Sequence, residues 1–170
     1  YPNLTPYQPS GWSDKIVVSH NVGSNTDSSN LTTDDTLYLD LAVLNNGVSP
    51  PASNYKIELY VDDLVTQFWQ MSPPHKPRYY KFFEDIDLGK LGAGTHDIRI
   101  HADALNEITE FNELDNEYTK TISVVRARSV TPSSGSGASQ TFRFVYSDAD
   151  GATDINHTFA LIGSRLTGTN

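Results

Sequence analysis

The sequence predicts an all-β protein: an antiparallel β-sandwich of seven or eight strands, followed by a partial second β unit. Three observations point there. Apolar residues alternate with polar ones in short runs, the period of a strand with one buried face. Gly, Pro, Asn and Asp clusters separate the runs at the spacing expected of an immunoglobulin-like sandwich. Only 37% of the 170 residues are apolar, which suits a fold that needs one inward face per strand.

In chain order, residues 1–13 (YPNLTPYQPSGWS) hold three prolines and no alternation. They read as an extended lead-in that lies along the domain or links it to a preceding one. Trp12 reads as a packing lid ahead of the first strand. The sandwich is expected over residues 14–125. Residues 15–22 are the first strand and 24–35 a polar loop. Residues 35–45 alternate, with Leu37, Leu39, Leu41 and Val43 facing one way and Tyr38, Asp40 and Ala42 the other. Asn46-Gly47 turns the chain, and residues 54–62 repeat the pattern with Ile57, Leu59 and Val61 inward. A short strand at 63–69 and an irregular connection at 71–78 follow. In residues 79–89, Tyr79 and Phe83 share one strand face and Tyr80 and Phe82 the other, so one pair is left exposed. Residues 95–102 lead into an acidic stretch, and 118–125 close the sandwich. Residues 126–129 read as a joint. Residues 130–170 add a Gly/Ser-rich turn and strands at 141–146 and 157–162. That is well short of the about 100 residues a sandwich needs, and two or three strands cannot close a core alone. This segment is expected to pack on the first domain, pair with another copy, or be less ordered.

The acidic stretch, DALNEITEFNELDN at 103–116, organises the rest. Asp103, Glu107, Glu110, Glu113, Asp115 and Glu117 supply carboxylates, and Asn106, Asn112 and Asn116 supply amides. Six acids this close repel one another at pH 7 unless something compensates them. Hard cations such as Ca²⁺ take six to eight such oxygens, and the loop has no soft ligand. A solvated acidic loop is the other reading, and its apolar residues, three apart, hint at a helical turn. Residue types alone leave the two open.

The pattern D-x-x-N-x-I-x-E-x-N-E-x-D-N, followed by EYTKTISV, resembles the end of a CARDB domain, the cell-adhesion-related domain of bacterial surface and secreted proteins. Upstream, DTLYLDLAVLNNGVSPPASNYKIELYVDD is similar to that family's strand, N-x-G turn and Y-V-D-G strand end. LGKLGAGTHDIRIHADALNEI is similar to its approach to the acidic loop. The resemblance covers residues 14–125. It implies an immunoglobulin-like sandwich without catalytic activity. Some relatives hold a cation in the loop before the last strand. By position, that implies Ca²⁺ ligands at Asp103, Asn106, Glu110, Glu113 and Asn116, with Ile108 as a core anchor. The chain departs from the family at Asp62-Asp63, where Asp-Gly is usual, which bears on the tight turn there and not on the fold. Residues from 130 onward resemble the start of a second immunoglobulin-like repeat of bacterial modular proteins.

A net charge of −9 argues against nucleic acid or an anionic membrane surface as partner. No apolar run reaches the ~18 residues of a membrane span. The absence of cysteine leaves the redox compartment open; a surface rich in Thr, Ser, Asn and Asp and poor in Lys fits an exported module. No secretory signal opens the chain, which reads as a piece of a longer modular protein. Asp148, Asp150 and Asp154 form half of a calcium loop without its closing Glu, and read more simply as a turn. His96 and His101, five apart on a strand, point to opposite faces. No nucleophile elbow, phosphate loop or H-E-x-x-H occurs, so an enzyme has no residues to stand on. Trp69, Tyr79 and Tyr80 could stack on sugar rings if exposed on one face; filling the core is the other role open to them. The expectation is a calcium-stabilised extracellular or cell-surface module of adhesive or spacing role, with neighbouring domains as partners. The alternative is a carbohydrate-binding module that takes a polysaccharide.

Overall fold

The computed structural model describes residues 1–136, 139–147, 151 and 158. Its secondary structure is β-strand throughout: β1 (Leu4–Pro6), β2 (Ile16–Ser19), β3 (Leu31–Thr32), β4 (Leu37–Asn45), β5 (Tyr55–Val61), β6 (Leu64–Met71), β7 (Tyr80–Gly89), β8 (Gly94–Ala102), β9 (Glu117–Thr131) and β10 (Arg143–Ser147). In one sheet β4 is central, with β1 and β2 following one another along one side and β7 on the other. The second sheet runs β6-β5-β8-β9, with β3 lying parallel to β9.

The core forms where the two alternating patterns meet. Leu37, Leu39, Leu41 and Val43 of β4 face Ile57, Leu59 and Val61 of β5 and Ile98 and Ile100 of β8, all buried. This is the inward set that the period of two predicts. Trp12 is also as expected: it covers Val17 and Ala42 on the outer side of the first sheet. Between the two sheets, the Lys120 ammonium reaches from β9 to the Ile16 carbonyl and the Asp14 and Asp27 carboxylates. It ties the last strand to the first sheet.

One feature decides between alternatives of the sequence reading, and two differ from it. The lead-in is structural: residues 4–6 pair with β4 in the register Leu4↔Asn45 to Pro6↔Val43. Three residues with a proline are too short to show alternation. Second, β9 does not stop at 125. It runs through the expected joint at 126–129, because β10 pairs with it from Ser147↔Arg126 to Arg143↔Thr131 and gives its backbone ladder partners. Third, the Asp62-Asp63 turn is as tight as an Asp-Gly turn would be. Both residues are left-handed (φ 51° and 62°), and Val61 pairs with Leu64 across them. The strain is offset because Asp62 accepts the Asp97 N–H at 3.0 Å and meets His96 Nδ1 at 2.7 Å. The strand expected at 157–162 lies outside the described residues.

Asn45, at the end of β4, shows what the N-x-G turn does. Its buried Oδ1 accepts the N–H groups of Asn3 (3.1 Å) and Gly47 (3.0 Å). Its Nδ2 donates to the carbonyls of Ser49 and His75. One side chain thereby satisfies four backbone groups, each of which costs about 1–3 kcal/mol if buried unpaired. Gly47 has its own reason: a Cβ there would meet the Tyr1 carbonyl oxygen at 2.5 Å and Pro2 at 2.6 Å. The turn is built so that the N-terminal segment can lie against it.

Candidate functional site: the acidic loop and the strand it holds

Residues 103–116 connect β8 to β9 as a series of turns without a helix. Left-handed backbone at Asp103 (φ 51°) and Asn106 (φ 53°) breaks any helical run, and Asn and Asp tolerate that conformation best. Of the four apolar residues spaced by three, only Ile108 enters the core; Leu105, Phe111 and Leu114 are exposed. The family-derived role of Ile108 as anchor agrees with this burial.

The carboxylates are turned inward onto backbone. Asp103 accepts the N–H groups of Glu107 (2.9 Å) and Ile108 (2.8 Å), one on each oxygen. Glu113 accepts the Glu110 N–H at 2.7 Å. Glu110 is buried and spans two segments: one oxygen accepts the Leu4 N–H of β1, the other the Asn116 amide at 2.9 Å. Asn3 completes the join. Its Nδ2 donates to both Asp115 carboxylate oxygens at 3.1 and 3.3 Å, and its Oδ1 accepts the Asn112 N–H at 2.8 Å. Thr5 donates to the Asp115 carbonyl, and Phe111 N–H to the Pro2 carbonyl. The loop is a clasp over residues 2–5.

Beneath the clasp lies a buried pair. Tyr55 O–H and His75 Nδ1 are 2.6 Å apart, and His75 Nε2 is 2.9 Å from the Tyr79 carbonyl. A carbonyl can only accept, so Nε2 carries the proton and Nδ1 accepts from Tyr55. Burial holds His75 below its ordinary value, consistent with a neutral ring. Burial, with the charges of Glu110 and Asp103, pushes the Tyr55 hydroxyl up. Burial is also the main cause that raises Glu110 to about 7, against hydrogen bonds from Leu4 and Asn116 that lower it; Asp103 and Glu113 add to the rise. Asn116 Oδ1 is buried with no partner.

Of the residues that the family resemblance names as cation ligands, the structure gathers Asp103, Glu110 and Asn116 in the buried part of the loop. Glu113 is tied to them through backbone. Asn106 is exposed and serves as a left-handed turn residue whose N–H bonds the Asp103 carbonyl. Among the described residues, no three His, Asp or Glu side chains converge as a metal-holding group. Sequence reasoning missed Asn3, Asn45, Tyr55 and His75. The N-x-G turn was a signal for Asn45; nothing local marked the others. Asp148, Asp150 and Asp154 lie outside the described residues.

The aromatic set is not gathered. Trp69, on β6 of the second sheet, is half-buried against Phe83 at 4.3 Å between ring centres. Tyr79 and Tyr80 are exposed at the start of β7 in the other sheet. The exposed pair is Tyr80 with Phe82, as the strand period requires. Tyr79 lies outside the strand, in a turn where its N–H bonds the Lys76 carbonyl, so it does not join Phe83 inside. Tyr80 instead neighbours Tyr7 at 5.2 Å.

Two such sheets, joined by a closing loop that holds the first strand, define an immunoglobulin-like β-sandwich module. The chain belongs to the CARDB family, whose model matches residues 16–120. Two solved structures share the fold. One is the CARDB domain of a Pyrococcus furiosus protein, crystallised in complex with di-metal ions. It is 18% identical, with 73% of this chain and 94% of that chain covered and a TM-score of 0.55. The other is a solution structure of a domain from a Methanosarcina acetivorans protein assigned to the cell surface. It is 14% identical, covers 72% of this chain and 91% of that one, and has a TM-score of 0.52. No curated protein matches the chain. Among the described residues no helix is long and apolar enough to cross a membrane.

The raised Glu110 carboxyl makes stability pH-dependent. The folded state keeps this proton up to about pH 7, whereas the unfolded chain releases it near 4.5. Between these values the native state binds more protons, so the contribution of Glu110 to stability falls as pH rises and levels off above 7. Glu110→Gln removes the titration and can keep both contacts: Oε1 accepts from Leu4, and Nε2 donates to Asn116 Oδ1 once that amide flips. The expected result, read by urea unfolding, is that wild type loses ~2–3 kcal/mol relative to Glu110→Gln between pH 4.5 and 7. Parallel stability curves would contradict the assignment.

Proposed function

We propose that the chain is a non-catalytic, extracellular spacer or adhesion module whose acidic loop locks its entry strand. The observation that carries this is the clasp over the N-terminal segment. Residues 2–5 run under the 103–116 loop. β9 starts at that loop and runs away from it for 15 residues, rising about 3.3 Å per residue. Tension applied through the N-terminal segment would load the first strand, and a clasp over that strand is what resists its peeling. The Methanosarcina neighbour's cell-surface assignment and the non-enzymatic character of the CARDB family support this reading.

The experiment is force spectroscopy on tandem copies. Asn3→Ala removes the links to Asp115 and Asn112 while leaving the core intact. Loss of two partly buried hydrogen bonds, about 1 kcal/mol each, is expected to speed unfolding at fixed force by roughly tenfold or more. An unchanged rate would sink the clasp as the mechanical element.

A second reading, calcium stabilisation, is favoured by one observation. The unpartnered Asn116 Oδ1 belongs to the amide that bonds Glu110, a carboxyl that burial, with a smaller push from Asp103 and Glu113, drives toward neutrality, and a cation would relieve both. Asp103, Glu110, Glu113 and Asn116 would hold it, at the expense of some backbone contacts they now make. The Pyrococcus neighbour's di-metal complex supports testing it. With millimolar Ca²⁺ at about ten times Kd, stabilisation of ~1.4 kcal/mol is expected from mass action, seen as a higher thermal midpoint than in chelator and lost in Asp103→Asn. Equal midpoints would leave the loop a hydrogen-bonded clasp alone.

A further inference from the structure

The chain has 12 basic residues against 21 acids, and several of its cations are held by those acids. Lys56 meets Glu58, Arg99 meets Asp63 and Glu117, and Lys120 meets Asp14 and Asp27. Lys76, Arg78 and Lys81 differ. They fall within one stretch of six residues, and among the described residues none of them pairs with a carboxylate. Arg78 donates to Asn46 Oδ1 at 2.8 Å, and the Lys81 ammonium lies 3.5 Å from the Ser72 carbonyl. Charges more than about 8 Å apart are largely screened at physiological ionic strength. These cations, rather than the net charge of −9, therefore set the field that a ligand meets here.

The stretch is firmly held. The buried His75 ring bonds Tyr55 and the Tyr79 carbonyl, the Arg78 N–H bonds the Asn45 carbonyl at 2.8 Å, and the Tyr79 N–H bonds the Lys76 carbonyl at 3.2 Å. Arg78 is left-handed (φ 65°), which is uncommon outside Gly, Asn and Asp, and such backbone persists only where its surroundings fix it. The Arg78 side chain lines a cleft of about 360 Å³ together with Tyr1, Val48, Phe111 and the Asn46-Gly47 turn. Tyr1, Val48 and Phe111 are 69, 78 and 82% exposed. Apolar walls with a few placed polar groups are the make-up of a small-ligand site, and the volume falls within the roughly 300–1,000 Å³ of such sites.

The chemistry of the lining says what fits. Asn3, also in the cleft, is engaged by Asp115 and Asn112. The Arg78 guanidinium has five N–H donors in a planar fork, a match for two parallel bonds to a carboxylate. The Tyr1 and Phe111 rings offer flat apolar faces on which the C–H side of a sugar ring can rest. A peptide strand would dock through main-chain hydrogen bonds, but the N–H groups of Asn3, Asn46, Gly47, Val48, Arg78 and Phe111 all have partners already. We propose that this cleft binds an acidic sugar of a polysaccharide: a uronate whose carboxylate pairs with Arg78 and whose ring stacks on Tyr1 or Phe111. Lys76 and Lys81 attract further acidic sugars of the same polymer. The site is independent of the clasp, and it gives an adhesion module a ligand.

The test is isothermal titration calorimetry of the 170-residue chain, in chelator so that no cation bridges ligand and acidic loop. The probes are hexamers of galacturonate, of mannuronate and of hyaluronan, with maltohexaose as the neutral control and hexaglutamate as the acidic peptide. At least one uronate hexamer is expected to bind, and the two controls are not. Arg78→Ala is expected to abolish binding. Arg78→Lys, which keeps the charge without the fork, should weaken it about tenfold. Tyr1→Ala combined with Phe111→Ala should weaken it as well. All three side chains are exposed, and thermal midpoints establish that each variant is folded. The proposal is overturned if none of the three uronates binds at millimolar concentration. Binding that Arg78→Ala or the double variant leaves unchanged also overturns it, as does hexaglutamate binding as tightly as the uronates.

Discussion

Buried backbone N–H groups must find acceptors, and in this protein that demand falls on the seam between the N-terminal segment and the loop before the last strand. Leu4 has Glu110, Asn3 has Asn45, and Phe111 has the Pro2 carbonyl. The remaining contacts at that end follow from these. With β1 held in register on β4, Gly47 must lack a side chain, Asn45 must reach four backbone groups, and Tyr55 with His75 must close the space beneath. Remove the seam and the first strand has only three ladder pairs to hold it, fewer than a stable pairing needs.

The same seam explains a loop whose composition looks self-repelling. Six acids in fifteen residues suggest a missing cation only while they are imagined pointing at one another. Asp103 and Glu113 point at backbone donors instead, so their oxygens have partners without a shared cation. Glu110 is the exception, because burial outweighs its two hydrogen bonds. A proton near neutral pH is then the simplest compensation, and the orphaned Asn116 oxygen accepts it once that amide flips.

The strands with one face in the core were legible because burial imposes alternation on them. β4 and β5 face the core with the residues that the pattern selects. The short and irregular pieces were not. β1 has three residues, and its role depends on partners more than 100 positions away, such as Glu110 and Asp115, which no local window sees. The joint at 126–129 looked like a break because Arg, Ala and Ser carry no period; pairing with β10 overrides that. Asp62-Asp63 lacks the usual glycine, but Asp tolerates the left-handed region and Asp97 and His96 hold it there. The family pattern located the acidic loop correctly by position. It could not say that the oxygens are spent on backbone, since that depends on the path of residues 1–6. Trp69 fills the gap between the sheets because the open side beside Phe83 is the nearest apolar surface to bury.

The account stands or falls on whether the N-terminal strand is locked by the loop. Native-state hydrogen exchange of the Asn3, Leu4, Phe111 and Asn112 amides tests this most directly. The seam predicts that the four exchange together, protected close to the level of β4 amides, and that Asn3→Ala lowers them as a set while β5 and β8 stay protected. Exchange of Asn3 and Leu4 at the rate of a frayed terminus, with Phe111 and Asn112 behaving independently of them, would contradict it.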